Sequence, residues 1–352
     1  MTHPLRVVQV GLGEWGHDWA WRINPTVDEV EVVGYVDSDP RALQLLGKQL
    51  PVAPGQCFKS LADAVEATRP DAALITTTLA GHEPLTRMAL EAGLHVLVEK
   101  PFTDTLECAR ELVGLAAARS RTLMVSQNYR HFPAPRMAAK LMGEGAFGEL
   151  YSITIDFRRN AASPPKPQRR HHSDEEPLLL DMSIHHFDLL RMILGREPDS
   201  VRCEAQSPPW SGFAGPPSAV ASIRFGAVQV SYRGSWISAG PITPWAGEWA
   251  MEFEGGQVAW TSRGDRGILN DRVVVRPRRG RPRVVALPSL DRVDRAGTLT
   301  EFATALREDR EPETSGRDNL RTLAFTFAAI ESAEHDSWVN VRPETRHGVG
   351  KP

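Results

Sequence analysis

Cysteine, lysine and net charge are all in short supply in this 352-residue chain, and each shortage rules something out. Cys57, Cys108 and Cys203 are the only cysteines; they stand apart, with neither a disulfide framework nor metal-ligand spacing, which favours a reducing compartment. The 41 Lys and Arg residues nearly balance the 44 Asp and Glu residues. The resulting formal charge of −3 gives no whole-molecule case for binding nucleic acid or a membrane surface. No apolar run is long enough to cross a bilayer, and Met1-Thr2-His3-Pro4 leads into a strand with no signal peptide, so a cytoplasmic protein is expected. No internal repeat is evident. What the chain does have is 41% apolar residues and enough length for more than one core, hence an expectation of two domains.

Only six of the 41 basic residues are lysines, and one of them lies in Glu99-Lys100-Pro101, directly after the apolar strand His95-Val96-Leu97-Val98. A charge pair at the end of a buried strand is costly to desolvate, and the carboxyl ends of parallel strands are where open α/β sheets bind ligands. Position therefore points to a function for Lys100 over a simple surface turn. Upstream, the apolar run Leu5 to Val10 ends at Gly11-Leu12-Gly13-Glu14-Trp15-Gly16, with a helix predicted from Glu14 to Arg22. In a dinucleotide site the first glycine of such a turn permits the bend, the second lets the backbone approach a pyrophosphate, and the third brings helix onto strand. A second strand, Val30 to Val36, ends at Asp37, twenty-one residues after Gly16. A carboxylate there accepts adenosine ribose hydroxyls and repels a 2′-phosphate. NAD is therefore expected over NADP, with Arg41 the feature that pulls the other way; Asp37 or Asp39 also suits as cap of the helix starting at Pro40. Helices at Leu61 to Thr68, Glu83 to Ala92 and Thr105 to Arg119 alternate with strands at Asp71 to Thr76, His95 to Val98 and Thr122 to Ser126. That alternation implies a parallel, doubly wound sheet. Thr76-Thr77-Thr78, at a strand's end, either caps a helix or lines the dinucleotide path.

After Gln127 the pattern changes, so the domains are placed at 1–126 and 127–352. Strands are predicted at Tyr151 to Arg158, Val201 to Ala205, Ala219 to Phe225, Val228 to Trp236, Ala250 to Glu254, Val258 to Thr261, Val273 to Arg276, Val284 to Leu287 and Trp338 to Val341. Short turns between neighbours make the sheet antiparallel, and helices are predicted at Leu178 to Leu194, Thr298 to Arg307 and Arg317 to Ala333. In the first of these helices Asp181 and His185 are four apart and share a face, where a carboxylate can fix an imidazole's tautomer and raise its basicity. His186 and Asp188 fall on other faces and read as packing or domain-contact residues. His171, His172, Asp181 and His185 are metal ligands by type only; no metal is expected, since nicotinamide hydride chemistry needs none. Tyr129 and Arg130, just past the last strand of the first domain, are placed to meet a substrate or to pack between domains. Further substrate candidates are Trp236, in the Gly/Pro-containing stretch with Trp245 and Trp249, and Arg169 and His172 in the polar segment Arg159 to Glu176. The basic run Arg276 to Arg283 reads as a solvated hairpin tip.

The glycine turn, Thr77…His82, Glu99-Lys100-Pro101, Asn128-Tyr129-Arg130, Asp181…His185 and the C-terminal Glu301-Phe302…Pro312…Ser315-Gly316…Ala328…Ser332-Ala333 have a family's order and spacing. Over nearly its full length the chain resembles the glucose–fructose oxidoreductase / inositol dehydrogenase / rhizopine-catabolism (Gfo/Idh/MocA) family. The resemblance implies an N-terminal α/β Rossmann domain and an α+β C-terminal domain with a large, mainly antiparallel open sheet. It implies a reaction centre of Lys100, Asp181 and His185, a cis Lys100–Pro101 bond, and cofactor contacts from Gly11, Leu12, Gly13, Glu14, Trp15, Gly16, Asp37, Ser38, Thr77, His82, Glu99, Lys100 and Asn128. The implied activity is NAD-dependent hydride transfer from a secondary alcohol of a sugar, polyol or inositol-like ring. His185 takes the proton, Lys100 steadies the alkoxide and Asp181 orients His185. A redox-assisted glycosidase and a non-catalytic NAD-binding regulator are the alternatives on this fold; the presence of all three reaction-centre residues weighs against the regulator. A small carbohydrate or polyol is the expected partner, and a homodimer or homotetramer the expected assembly. Glu175-Glu176-Pro177 and Ser183 stand where such proteins often carry glycines, and Leu79 where asparagine is common, so the substrate loop departs from the usual form.

Overall fold

The computed structural model describes residues 3–161 and 175–341. The chain divides into two units, Met1–Asn128 with Asp291–Leu320, and Tyr129–Leu290 with Arg321–Pro352. Everything after residue 126 was expected in the second domain; instead Asp291–Leu320 returns to the first.

In the first unit, six parallel strands, β1 (Leu5–Val10), β2 (Val30–Val36), β3 (Cys57–Phe58), β4 (Ala72–Ile75), β5 (His95–Glu99) and β6 (Leu123–Ser126), line up as β3-β2-β1-β4-β5-β6. The order reverses between β1 and β4, so a crevice opens at their carboxyl ends. All four residues of β4 are buried, and of β5 only His95 is partly exposed, as strands covered on both faces require. The helices are α1 (Glu14–Asp18), α2 (Pro40–Gln49), α3 (Leu61–Thr68), α4 (Leu79–Glu91) and α5 (Leu106–Ala118). Ser60 and Thr105 cap α3 and α5, accepting the Asp63 and Cys108 amides at 3.2 Å. The edge strand β6 explains why a late segment returns: the Val125 amide donates to the Thr314 carbonyl at 2.9 Å, and Met124 bridges Ser315. There α8 (Asp294–Arg307) buries Leu299 and Phe302 against Leu5, Trp19, Leu74, Leu97 and Met124. Each of those two side chains contributes about 1.5–3 kcal/mol by leaving water.

In the second unit, β7 (Leu150–Arg158), β8 (Ser200–Gln206), β9 (Ser218–Phe225), β10 (Val228–Ser235), β11 (Glu248–Phe253), β12 (Gly256–Thr261), β13 (Arg272–Pro277), β14 (Arg283–Val284) and β15 (Val339–Asn340) form one sheet. Its order is β14-β13-β12-β11-β7-β10-β9-β8-β15, antiparallel except where β10 pairs with β7. Burial alternates along β9, and along β10 as far as Gly234, so one face is covered and the other is not. The covered face packs Ile153, Ile155, Phe157, Ile223 and Met251 beneath α6 (Pro133–Glu144), α7 (Ile184–Leu194) and α9 (Gly316–His335). Helix α6 was not foreseen; Pro133 and Pro135 stand in its first turn, where proline loses no hydrogen bond. Predicted strand Val284 to Leu287 shortens to β14. Among the described residues no helix is long and apolar enough to cross a membrane.

Candidate active site

Gly11 closes β1 at φ +97°, where a Cβ would come within 2.7 Å of the Thr77 amide nitrogen. At Gly16 an added Cβ would sit 2.0 Å from the Gly11 carbonyl oxygen, so only glycine lets α1 approach the strand. Gly13 faces open space, with nothing within 4 Å of an added Cβ. The result is bare main chain at the carboxyl end of β1, which fits a pyrophosphate. Asp37 closes the turn: its carboxylate accepts the Leu12 amide at 2.6 Å and the Asp39 amide at 2.8 Å. Each oxygen retains a second acceptor position, which suits ribose hydroxyls. Asp39 takes the capping role instead, accepting the Arg41 amide at 2.9 Å and binding its guanidinium at 3.0 Å. Arg41, the one feature that pulled toward NADP, is thus engaged by its neighbour. Glu14 and Ser38 are exposed, and Trp15, 40% exposed, carries the Arg295 guanidinium 4.1 Å over its ring.

At the carboxyl end of β5, Glu99 is buried; one oxygen accepts the Trp19 indole N–H at 2.7 Å and the Ser126 hydroxyl at 3.3 Å, and the other the Lys100 amide at 3.1 Å. Trp19 opens a π-helical turn, Trp19–Ile23, where the predicted helix was to run straight on to Arg22. The Lys100–Pro101 bond is cis. His82 is buried, with Nδ1 donating to the Pro101 carbonyl at 2.7 Å and Nε2 3.2 Å from the Thr77 carbonyl, so it braces the ends of β4 and β5. Asn128 donates to the Asp294 carboxylate, and Thr77 and Lys100 are half-buried.

Asp181 and His185 belong to the second unit. The α-helix predicted over both is corrected: Leu179–Ser183 is a π-helical turn, and α7 begins only at Ile184. The Ser183 amide reaches back five residues to the Leu178 carbonyl at 2.7 Å, and the Asp181 amide to Glu176 at 3.3 Å. Asp181 is half-buried, whereas His185 is 4% exposed and stacks on Tyr129 with ring centroids 4.0 Å apart and planes 2° from parallel. His186 is a packing residue, as expected. Its Nε2 donates to the Trp245 carbonyl at 3.0 Å, leaving Nδ1 to accept from the Tyr232 hydroxyl at 3.1 Å, and burial pushes its pKa down to about 4. Tyr232 in turn lies 2.7 Å from the Ser183 hydroxyl.

Three substrate candidates turn inward instead. Arg130 makes a bidentate pair with Asp188 at 2.6 and 2.7 Å, and Thr322 adds a hydroxyl donor at 2.8 Å. Trp236 is a core residue, donating to the Pro177 carbonyl at 2.8 Å and meeting Phe157 edge-on. Tyr129 is 3% exposed beneath His185. Arg169, His171 and His172 lie outside the described residues. Among the described residues no group of three or more His, Cys, Asp or Glu is arranged to hold a metal ion. Gln9 was missed. Fully buried on β1, it donates to the Gly16 carbonyl at 2.7 Å and the Thr76 hydroxyl at 3.1 Å and accepts from Asn24 at 2.9 Å, tying the glycine turn to the sheet. An amide inside an otherwise apolar strand was the available signal.

Residues 5–127 match the model of the oxidoreductase family with an NAD-binding Rossmann fold, and residues 136–259 that of the Gfo/Idh/MocA C-terminal domain. The chain is 26% identical over 347 residues to D-apiose dehydrogenase of Paraburkholderia graminis, covering 96% of this chain and 89% of the relative. It is 30% identical over 215 residues to inositol 2-dehydrogenase of Corynebacterium glutamicum, covering 61% and 60%. An inositol dehydrogenase homolog from Azotobacter vinelandii, solved with NADH and myo-inositol, is similar with a TM-score of 0.81 at 20% identity over 97% of this chain and 98% of that one, a likeness of fold. The chain belongs to the Gfo/Idh/MocA family of NAD-binding oxidoreductases.

Proposed function

We propose that the chain is an NAD-dependent dehydrogenase acting on a secondary alcohol of a sugar, polyol or inositol-like ring. The observation that carries this reading is His185, a buried imidazole held flat against Tyr129 in the segment that also bears Asp181. A positioned imidazole is the commonest proton acceptor in such chemistry. The named activities of the D-apiose and inositol 2-dehydrogenases support the substrate class. Nicotinamide, when bound, supplies the hydride acceptor. The protein's part is to hold the alcohol, take its hydroxyl proton on His185, and stabilise the growing negative charge on oxygen through the Lys100 ammonium. Asp181 orients His185. Gly11, Gly13, Gly16 and Asp37 would hold the dinucleotide, and the Asp37 carboxylate favours NAD by repelling a 2′-phosphate.

A screen at 340 nm with NAD and NADP against inositols, aldoses including apiose, and anhydrosugars tests the reading. Turnover should prefer NAD, and Lys100→Met and His185→Ala should each lower kcat by about 10²–10⁴-fold. No reduced cofactor from any alcohol, or variants as fast as the parent, would overturn it.

A further inference from the structure

Around His185 the second unit builds a support that the proposed chemistry does not by itself require. The Arg263 guanidinium lies 4.6 Å from the centroid of the Tyr129 ring and donates to the Tyr129 hydroxyl at 2.9 Å, while that ring stacks on the imidazole. Arg263 stands at φ +57°, a left-handed conformation that is costly for a residue with a Cβ. Strained residues of this kind gather where surrounding structure imposes a required geometry. Here the strain is held on both sides: the Arg263 amide donates to Asp271 at 2.9 Å, and its carbonyl accepts the Trp245 amide at 2.9 Å. Asp271 also accepts the Ser262 hydroxyl at 2.8 Å and the Ala134 amide at 3.1 Å. Ala134 is in the first turn of α6, whose lead-in carries Tyr129. One carboxylate therefore fixes both the arginine and the segment bearing the tyrosine.

We propose that Tyr129 and Arg263, with Asp271 behind them, are positioning residues that fix the plane of the His185 imidazole for proton transfer. The proposal rests on the reading of His185 as proton acceptor. An imidazole free to turn about its Cβ–Cγ bond presents its nitrogen to the hydroxyl only part of the time, and a parallel neighbour removes that freedom. A planar guanidinium can cover a ring and donate to its hydroxyl together, which an ammonium does less well. Tyr129 is on this account not a substrate contact.

The test is nuclear magnetic resonance on histidine-labelled protein, with the His185 ring protons identified by their loss in His185→Gln, alongside steady-state kinetics. In the parent these protons should be shifted upfield by the Tyr129 ring current. They should stay there in Tyr129→Phe, return downfield in Tyr129→Leu, and shift in Arg263→Gln, with melting curves checking that each variant is folded. Against an accepted alcohol, kcat should fall about 100-fold in Tyr129→Leu, about tenfold in Arg263→Gln and about fivefold in Tyr129→Phe, with KM little changed. Unmoved histidine resonances in Tyr129→Leu and Arg263→Gln overturn the proposal, as does a raised KM with kcat intact, which would make the pair substrate contacts. If the resonances move as expected but the parent oxidises no alcohol, the support for His185 stands and the dehydrogenase reading falls.

Discussion

The turn from β1 into α1 depends on side chains that are absent at Gly11 and Gly16, with Gln9 and Asp37 tying it down, whereas the turn into α7 depends throughout on side chains that are present. In the first unit, Gly11 and Gly16 let main chain approach main chain where any Cβ would collide. In the second, Ser183, His186, Asp188 and Arg130 are each tied to a named partner: Tyr232, Trp245 or the Arg130–Asp188 pair itself. Both units also widen a helix into a π turn beside the functional segment and pin it from the sheet, through Glu99 to Trp19 in one and Tyr232 to Ser183 in the other. The difference teaches where each unit is fragile. Added bulk breaks the first; lost charge or a lost hydrogen bond breaks the second.

The largest expected effect follows from that. Asp188→Asn leaves the Arg130 guanidinium, 5% exposed, without its carboxylate, and removing one partner of a buried pair costs about 3–5 kcal/mol. Urea unfolding should show the loss; a change below about 1 kcal/mol would mean that the pair behaves as a surface ion pair does, and the contrast between the units would fail. In the first unit, Gly16→Ala should cost about 1–3 kcal/mol through overpacking against the Gly11 carbonyl, and should abolish NAD binding. Gly13→Ala separates fold from function. Gly13 sits at φ −63° with open space around it, so the melting temperature should hold within about 2 °C. NAD affinity measured by calorimetry should nevertheless fall about tenfold or more, or 1.4 kcal/mol. Unchanged affinity would remove Gly13 from the proposed cofactor contacts.

Legibility in the sequence divides along the same line. A main-chain requirement is local and leaves glycines, so Gly11, Gly13, Gly16 and Asp37 were readable within one strand–helix–strand stretch. A side-chain network is assembled from distant segments. At Arg130 and Trp236 the choice between substrate contact and packing stayed open in the sequence, because Asp188 and Pro177, which hold them, lie 58 and 59 residues away. Arg263 and Asp271 left no signal, since nothing in Ser262-Arg263-Gly264 announces an arginine at positive φ. The helix α8 was visible in the sequence, but the edge of β6 that recruits it was not. The two π turns carry no compositional mark, and both were merged into longer helices.

Glu176 departs from the comparison, a second-unit carboxyl with one oxygen left unbonded. One carboxyl oxygen is buried with no hydrogen bond, and burial, with Glu334 and Glu175 nearby, raises its pKa from the ordinary 4.5 to about 7. Between those two values the folded protein holds a proton that the unfolded chain has released, so stability falls as pH rises. The benefit of the neutral acid is complete below about pH 4.5 and gone once the pH has passed through 7. Discounted for partial exposure, the swing is about 1–2 kcal/mol. Glu176→Gln removes the titrating group while keeping its shape, so its stability should run flatter than the parent's from pH 5 to pH 8, roughly matching it at the acid end and exceeding it at the alkaline end. Urea unfolding at several pH values checks this. Parallel profiles for parent and variant would mean that solvent reaches the carboxylate and that its burial does not set the pH dependence.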